Sequence, residues 1–220
     1  SRLDVVMTDD PYSSEALDRI TLIRQMAVKA ANNAGVDPSL VLVGGSTALQ
    51  ADTRDAVDRD VRLIGPIVVA LIWLILLLLL RSIVAATYLV GSVILSFLSA
   101  LGISVVIFQV LMGHNGVGYQ NAVWMFIFLA ALGADYNILI MSRLKEETRR
   151  RGLIEGTRQA ISRTGGVITS AGIILAGTFS ILCTLPLRDI FQLGFAVALG
   201  ILLDTFVVRA LLVPSIVLVL

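Results

Sequence analysis

Two aspartates stand in stretches that otherwise carry no charge. Asp135 lies in "LGADYNILIMSR", residues 132–143, and the next charged residue after it is Arg143. Asp204 lies in "LGILLDTFVVR", residues 199–209. An ionised aspartate at mid-membrane costs about 3 kcal/mol or more, so it needs a partner, water or a proton. An acid that takes up and releases a proton inside a bundle is a relay; an acid that is merely paired is structural. Asp135 is 13 residues past Ala122 and Asp204 is 13 past Phe191. At about 1.5 Å per residue, each falls roughly 20 Å from the start of its segment, so the two are matched in depth. Tyr136 adds a phenolic hydroxyl able to hydrogen-bond an ionised carboxylate on a neighbouring helix. Consecutive residues project about 100° apart, so Asp135 and Tyr136 are expected to meet partners on different helices. Arg209, five residues after Asp204, is expected about 140° away on an α-helix, a poor partner that would snorkel toward the nearer surface.

The elements that must hold these residues are membrane spans. The chain of 220 residues is 57% hydrophobic and only 15% charged, too apolar for a soluble domain. Five runs approach or exceed the roughly 20 apolar residues that a spanning helix needs: about 61–80, 83–108, 122–142, 166–185 and 190–213. Seven of the 17 Lys and Arg fall between Arg143 and Arg163. Basic connectors stay in the cytoplasm, so the spans carrying Asp135 and Asp204 are expected to run inward, with residues 1–60 and the loops at 109–121 and 186–190 outside. The basic, helix-prone connector 143–163 is expected along the inner membrane surface, with Arg149, Arg150 and Arg151 serving topology and lipid headgroups, not nucleic acid. Tyr88, Tyr119 and Trp124 read as interface anchors. Small residues at Gly165, Thr169, Gly172, Ala176 and Ser180 share one helix face, suited to close packing or to sliding and water access.

Residues 1–60 differ in character. "RLDVVMT" (2–8) and "SLVLVGG" (39–45) read as strands around a helix capped by Ser13 or Ser14, with Leu17, Ile20, Ile23 or Arg24, and Ala27 at helical spacing and Gly35 at the stop. Such a strand–helix–strand segment is too small for its own core. It is expected to be the end of a larger extracytoplasmic domain, and the opening residues show no leader pattern. Thr47 and Gln50 are spaced for a capping box, and Gly65-Pro66 marks an expected bend where the next helix meets the membrane. The glycines at 44–45 lack a following G-K-[ST], so no nucleotide site is read there. Asp52, Asp55, Asp58 and Asp60 form a solvated face. Neither His114, in a glycine-rich loop, nor Cys183, in an apolar span, has the company that a metal site needs, and no cofactor is expected.

The quoted residues also carry a resemblance. "VLVGGSTALQADTRDAV", "ALGADYNILIMSRLKEE", "ISRTGGVITSAGIILAGTFS" and "LGFAVALGILLDTFVVRALLVPSIVLVL" resemble the MMPL branch of the RND transporter superfamily, in that family's order and over essentially the whole chain. The resemblance implies twelve transmembrane helices in two similar halves, each with a large extracytoplasmic insertion. It implies proton-motive-force-driven export of lipids, lipid-linked molecules or hydrophobic compounds across the bacterial plasma membrane. This chain would supply the end of the second porter domain and helices eight to twelve. The family's Asp-Tyr pair falls on Asp135 and Tyr136, and its helix-twelve carboxylate on Asp204. The implied partners are membrane lipids, a hydrophobic substrate, protons and an N-terminal half of the same transporter, possibly in an oligomer. Two other classes are weighed beside it: a sterol-sensing-like sensor or scaffold without flux, and an intramembrane aspartyl protease. The protease reading lacks its Tyr-Asp and Gly-x-Gly-Asp motifs, because here the acids lie in Gly133-Ala134-Asp135-Tyr136 and Leu203-Asp204-Thr205.

Overall fold

A computed structural model describes residues 3–8, 11, 13–113, 117–212 and 215; the expectations for His114 and for the Tyr119 side chain lie outside the described residues. The chain separates into two compact units, Ser1–Leu63 and Ile64–Leu220.

In the first unit, helix α1 (Ser14–Asn33) is capped by the Ser13 hydroxyl, which accepts from the Ala16 N–H at 3.2 Å. It ends before Gly35, whose φ of +70° suits a residue without Cβ. Helix α2 (Ser46–Leu80) contributes residues to both units. It starts one residue before Thr47, so Thr47 sits inside the first turn and not at the capping position expected for it. The Gly45 carbonyl accepts the first helical bond, from Leu49 N–H. Leu17 and Ile20 of α1 pack on Ala48 and Ala51 of α2, with Ile23 and Met7 beside them. Two ion pairs tie the same helices: Arg24 to Asp52 at 2.5 Å and Arg54 to Asp18 at 2.6 Å. The Arg24 guanidinium holds the Asp52 carboxyl below its ordinary range, so this acid of the solvated face has a partner. The two expected strands are absent among the described residues. Residues 3–7 and 41–44 are extended coil, with Val6 and Leu42 each 91% exposed, and a strand needs a neighbouring strand to take its backbone bonds. The described segment is coil, α1, a 3₁₀ turn at Pro38–Leu40 that takes up the start of the second expected strand, and coil.

Among the described residues, five helical runs are long and apolar enough to cross a membrane: α2, then α3 (Ile83–Val106) with its continuation to Leu111, α4 (Tyr119–Arg151), α5 (Leu153–Ser180) with its continuation to Thr184, and α6 (Arg188–Leu203) with its continuation to Leu212. The expected spans 61–80, 83–108 and 122–142 lie within these runs, 166–185 passes the end of its run by one residue, and 190–213 coincides with the last run as far as Leu212, its final residue lying outside the described residues. Helix α3 runs on through a π-helical turn, Ile107–Leu111, and α5 through a 3₁₀ turn, Ile181–Thr184. The helical run of α6 continues as a π-helix, Asp204–Leu212. The connector 143–163 is not a separate surface helix. Helix α4 continues to Arg151, a single glycine turns the chain, and α5 begins at Leu153. Gly152 holds φ 81° and ψ 173°, a region that only glycine occupies readily. A Cβ on Gly156 would overlap the Thr148 backbone, so the two helices touch closely just past the turn. Buried Glu147 locks the hairpin, bonded to Arg151 at 3.1 Å and to Arg163 at 3.0 Å.

The bundle of the second unit has two apolar cores. One gathers Leu76 and Leu80 (α2), Leu89 and Val90 (α3), Ile140 (α4), Ile168 (α5) and Val208 near the basic hairpin. The other gathers Ala100 (α3), Met125 and Leu129 (α4), Ala176 (α5) and Val197 and Ile201 (α6). Beyond the second core, buried Asn121 donates to the Asp189 carbonyl at 3.0 Å and to Gln192 Oε1 at 3.5 Å, which ties the start of α4 to the start of α6.

Candidate functional site

Between the two apolar cores, α3, α4, α5 and the π-helix that follows α6 contribute small or polar residues. From α3 come Ser92 and Ser96, from α4 Gly133 and Asn137, from α5 Gly172, and from the last helical run Asp204, Thr205 and Arg209. All of these are buried. Close packing brings them to one level. A Cβ on Gly133 would come within 2.9 Å of Val93, and one on Gly172 would overlap the Thr205 hydroxyl. The small-residue stripe of α5 is therefore used in part. Gly172 and Ala176 pack inward, Gly165 and Thr169 are half-buried, and Ser180 is exposed.

Asp204 does not wait for a partner on another helix. Its carboxylate accepts from Arg209 Nη2, and both side chains are buried. The expectation that Arg209 is a poor partner is overturned, and the cause is helix geometry. In an α-helix residues five apart diverge by about 140°. The i→i+5 bonding of the π-helix puts more residues into each turn and brings positions five apart back onto nearly one face. Arg209 Nη2 also lies 3.4 Å from the Leu132 carbonyl, and the guanidinium carbon stands 4.1 Å above the centroid of the Tyr136 ring. A cation over a tyrosine face is attracted by the ring quadrupole, most strongly where water is excluded. Arg209 thus bridges Asp204 and Tyr136.

Asp135 is not part of this cluster. It is exposed on the outward face of α4 and makes no ion pair or hydrogen bond with another described residue. Tyr136, about 100° round the helix, meets Arg209 on another helix, whereas the partner expected for Asp135 is not found among the described residues. Its ring, however, serves a guanidinium and not a carboxylate. The structure so brings Tyr136 and Asp204 together through Arg209 and turns Asp135 to a different surface at the same level of α4. Asn137 also went unremarked in the sequence. It is 1% exposed, and neither its amide nitrogen nor its oxygen has a partner among the described residues; nor do Ser96 Oγ, Ser104 Oγ, Arg209 Nε or Nη1. Buried polar atoms of this kind belong beside water or a moving partner. Among the described residues, no group of three or more His, Cys, Asp or Glu is placed to hold a metal ion.

An ion pair stacked on a tyrosine between two apolar cores, in a chain with five spans, is the architecture to compare with known proteins. The model of the MMPL family matches residues 1–220. The chain belongs to the MMPL family. It is 51% identical to the Streptomyces coelicolor membrane protein SCO5905, over 97% of this chain and 25% of that protein. It is 42% identical to the apo-petrobactin exporter of Bacillus anthracis, over 99% of this chain and 30% of the exporter. It is 43% identical to the sulfolipid-1 exporter MmpL8 of Mycobacterium tuberculosis, over 96% of this chain and 19% of that protein. The chain thus spans less than a third of the length of each of these MMPL relatives. It is a multi-pass membrane protein of a family that includes named exporters.

Proposed function

We propose that this MMPL chain is the C-terminal helical part of a proton-driven exporter of lipids, lipid-linked molecules or hydrophobic compounds in the bacterial plasma membrane. The observation that carries the reading is the different setting of the two acids. Asp204 is neutralised inside the bundle by Arg209, whereas Asp135 is presented outward without a counter-charge. An acid already held by a guanidinium has less call for a proton, while an unpaired acid in lipid must find a proton or a partner. Asp135 is then the group that loads and unloads, and the Asp204–Arg209–Tyr136 cluster is the fixed charge beside it. The outward placement of Asp135 calls for a facing surface from the N-terminal half of the same transporter. The relatives named as a sulfolipid-1 exporter and an apo-petrobactin exporter support export as the activity class.

The test uses the full-length protein in proteoliposomes with an imposed pH gradient. Asp135→Asn should keep expression and folding yet drop gradient-driven export to background, because asparagine cannot ionise. Proton uptake should fall with it. Undiminished export by Asp135→Asn would remove the relay role. Wild-type protein that moves no cargo under any gradient would favour the sensor reading.

A further inference from the structure

At the basic end of the second unit, the last turn of α2 and the inner stretch of α4 enclose an open cleft of about 420 Å³. It is lined by Leu79, Leu80, Ser142, Lys145, Glu146, Arg149 and Arg150. Its position is fixed by Lys145, whose ammonium donates to the Leu80 carbonyl at 3.3 Å and so caps the end of α2. One turn further along α4, Arg149 is exposed and makes no ion pair or hydrogen bond with a described residue. Arg150 reaches Glu146 at 3.2 Å, and Arg143 reaches the same carboxylate at 3.1 Å. Glu146 is thus one carboxylate among four cations. The other nearby acid, Glu147, is buried and held by Arg151 and Arg163. The cleft is strongly cationic because Glu146 is outnumbered there and Glu147 is buried and paired elsewhere.

Its second wall is apolar. Leu79 enters the cleft, and Ile75 and Leu71 follow it at one and two turns along α2, all about half exposed. A cationic cleft that opens onto an apolar stripe of a spanning helix fits an amphiphile with an anionic head and a hydrocarbon tail. We propose that this cleft is a binding site for an anionic phospholipid of the adjacent leaflet. The phosphodiester lies between Lys145 and Arg149, and an acyl chain lies along Leu79, Ile75 and Leu71. The site is separate from Asp135 and Asp204 and does not depend on proton coupling.

The experiment is native mass spectrometry of the full-length protein in detergent, titrated with dioleoyl-phosphatidylglycerol or dioleoyl-phosphatidylcholine. Phosphatidylglycerol should form one adduct of distinctly higher affinity than any phosphatidylcholine adduct. Each basic residue near a membrane surface contributes about fivefold, so Lys145→Gln with Arg149→Gln should weaken that adduct roughly 25-fold. Arg149→Gln alone, which breaks no contact seen here and so spares the fold, should weaken it about fivefold. Arg158→Gln, a cation on α5 outside the cleft, should leave it unchanged. Equal affinity for the two lipids, or an adduct indifferent to Arg149, would overturn the proposal. Displacement of the lipid by excess inorganic phosphate alone would assign the site to free phosphate instead and overturn the lipid assignment.

Discussion

At the scale of single residues, the winding of the last helical run decides which side chains can meet. The acids and Tyr136 are legible in the sequence because a charge or phenol inside an apolar run has few uses. The Asp204–Arg209 pairing is not legible, because the usual 100° per residue was applied to a segment that does not keep it. Asn137 and Gln192 escape for a different reason: an uncharged amide barely interrupts an apolar run, and only burial on all sides gives it meaning. The pairing makes a specific prediction. Removing one partner of a buried ion pair strands the other, at a cost of about 3–5 kcal/mol. Arg209→Met should therefore lower the thermal midpoint of the purified full-length protein far more than the double variant Asp204→Asn/Arg209→Met does. Equal losses in the single and double variants would mean that the pair contributes little.

At the scale of elements, the spans were legible from length and hydropathy, but their ends and fine geometry were not. The expected surface connector became a helical hairpin because Gly152 alone makes the turn. Gly152→Ala, at φ 81° and ψ 173°, should cost about 1–3 kcal/mol through backbone strain, read as a drop in the thermal midpoint. A variant with an unchanged midpoint would show that the hairpin relaxes freely. The two expected strands failed because a propensity for extended backbone forms a strand only when another edge is available to pair with it. The α5 stripe was legible as a packing face, yet only its middle packs closely. Gly172→Val should force Thr205 away and cost about 1–3 kcal/mol by overpacking. Thr205→Ala in the same protein should recover part of that loss, and no recovery would point to a clash elsewhere.

At the scale of the whole molecule, charge asymmetry gives an orientation that labelling can check. In a Cys183→Ser background in intact cells, a cysteine at Ser13 should react with an impermeant thiol reagent and one at Ser162 should not; the reverse pattern would invert the topology. Orientation of this kind is set while the chain is being made, and there the π-helix Asp204–Leu212 has its last consequence. A nascent segment entering lipid with an aspartate and an arginine each unpaired faces about 2.5–3.5 kcal/mol for each. Spaced five apart and wound so that they meet, the two enter as a neutral couple, and the last helix carries its own counter-ion into the bilayer. Its insertion then need not await the arrival of any other helix, whereas Asp135 carries no such escort and reaches its depth on the strength of the apolar residues around it.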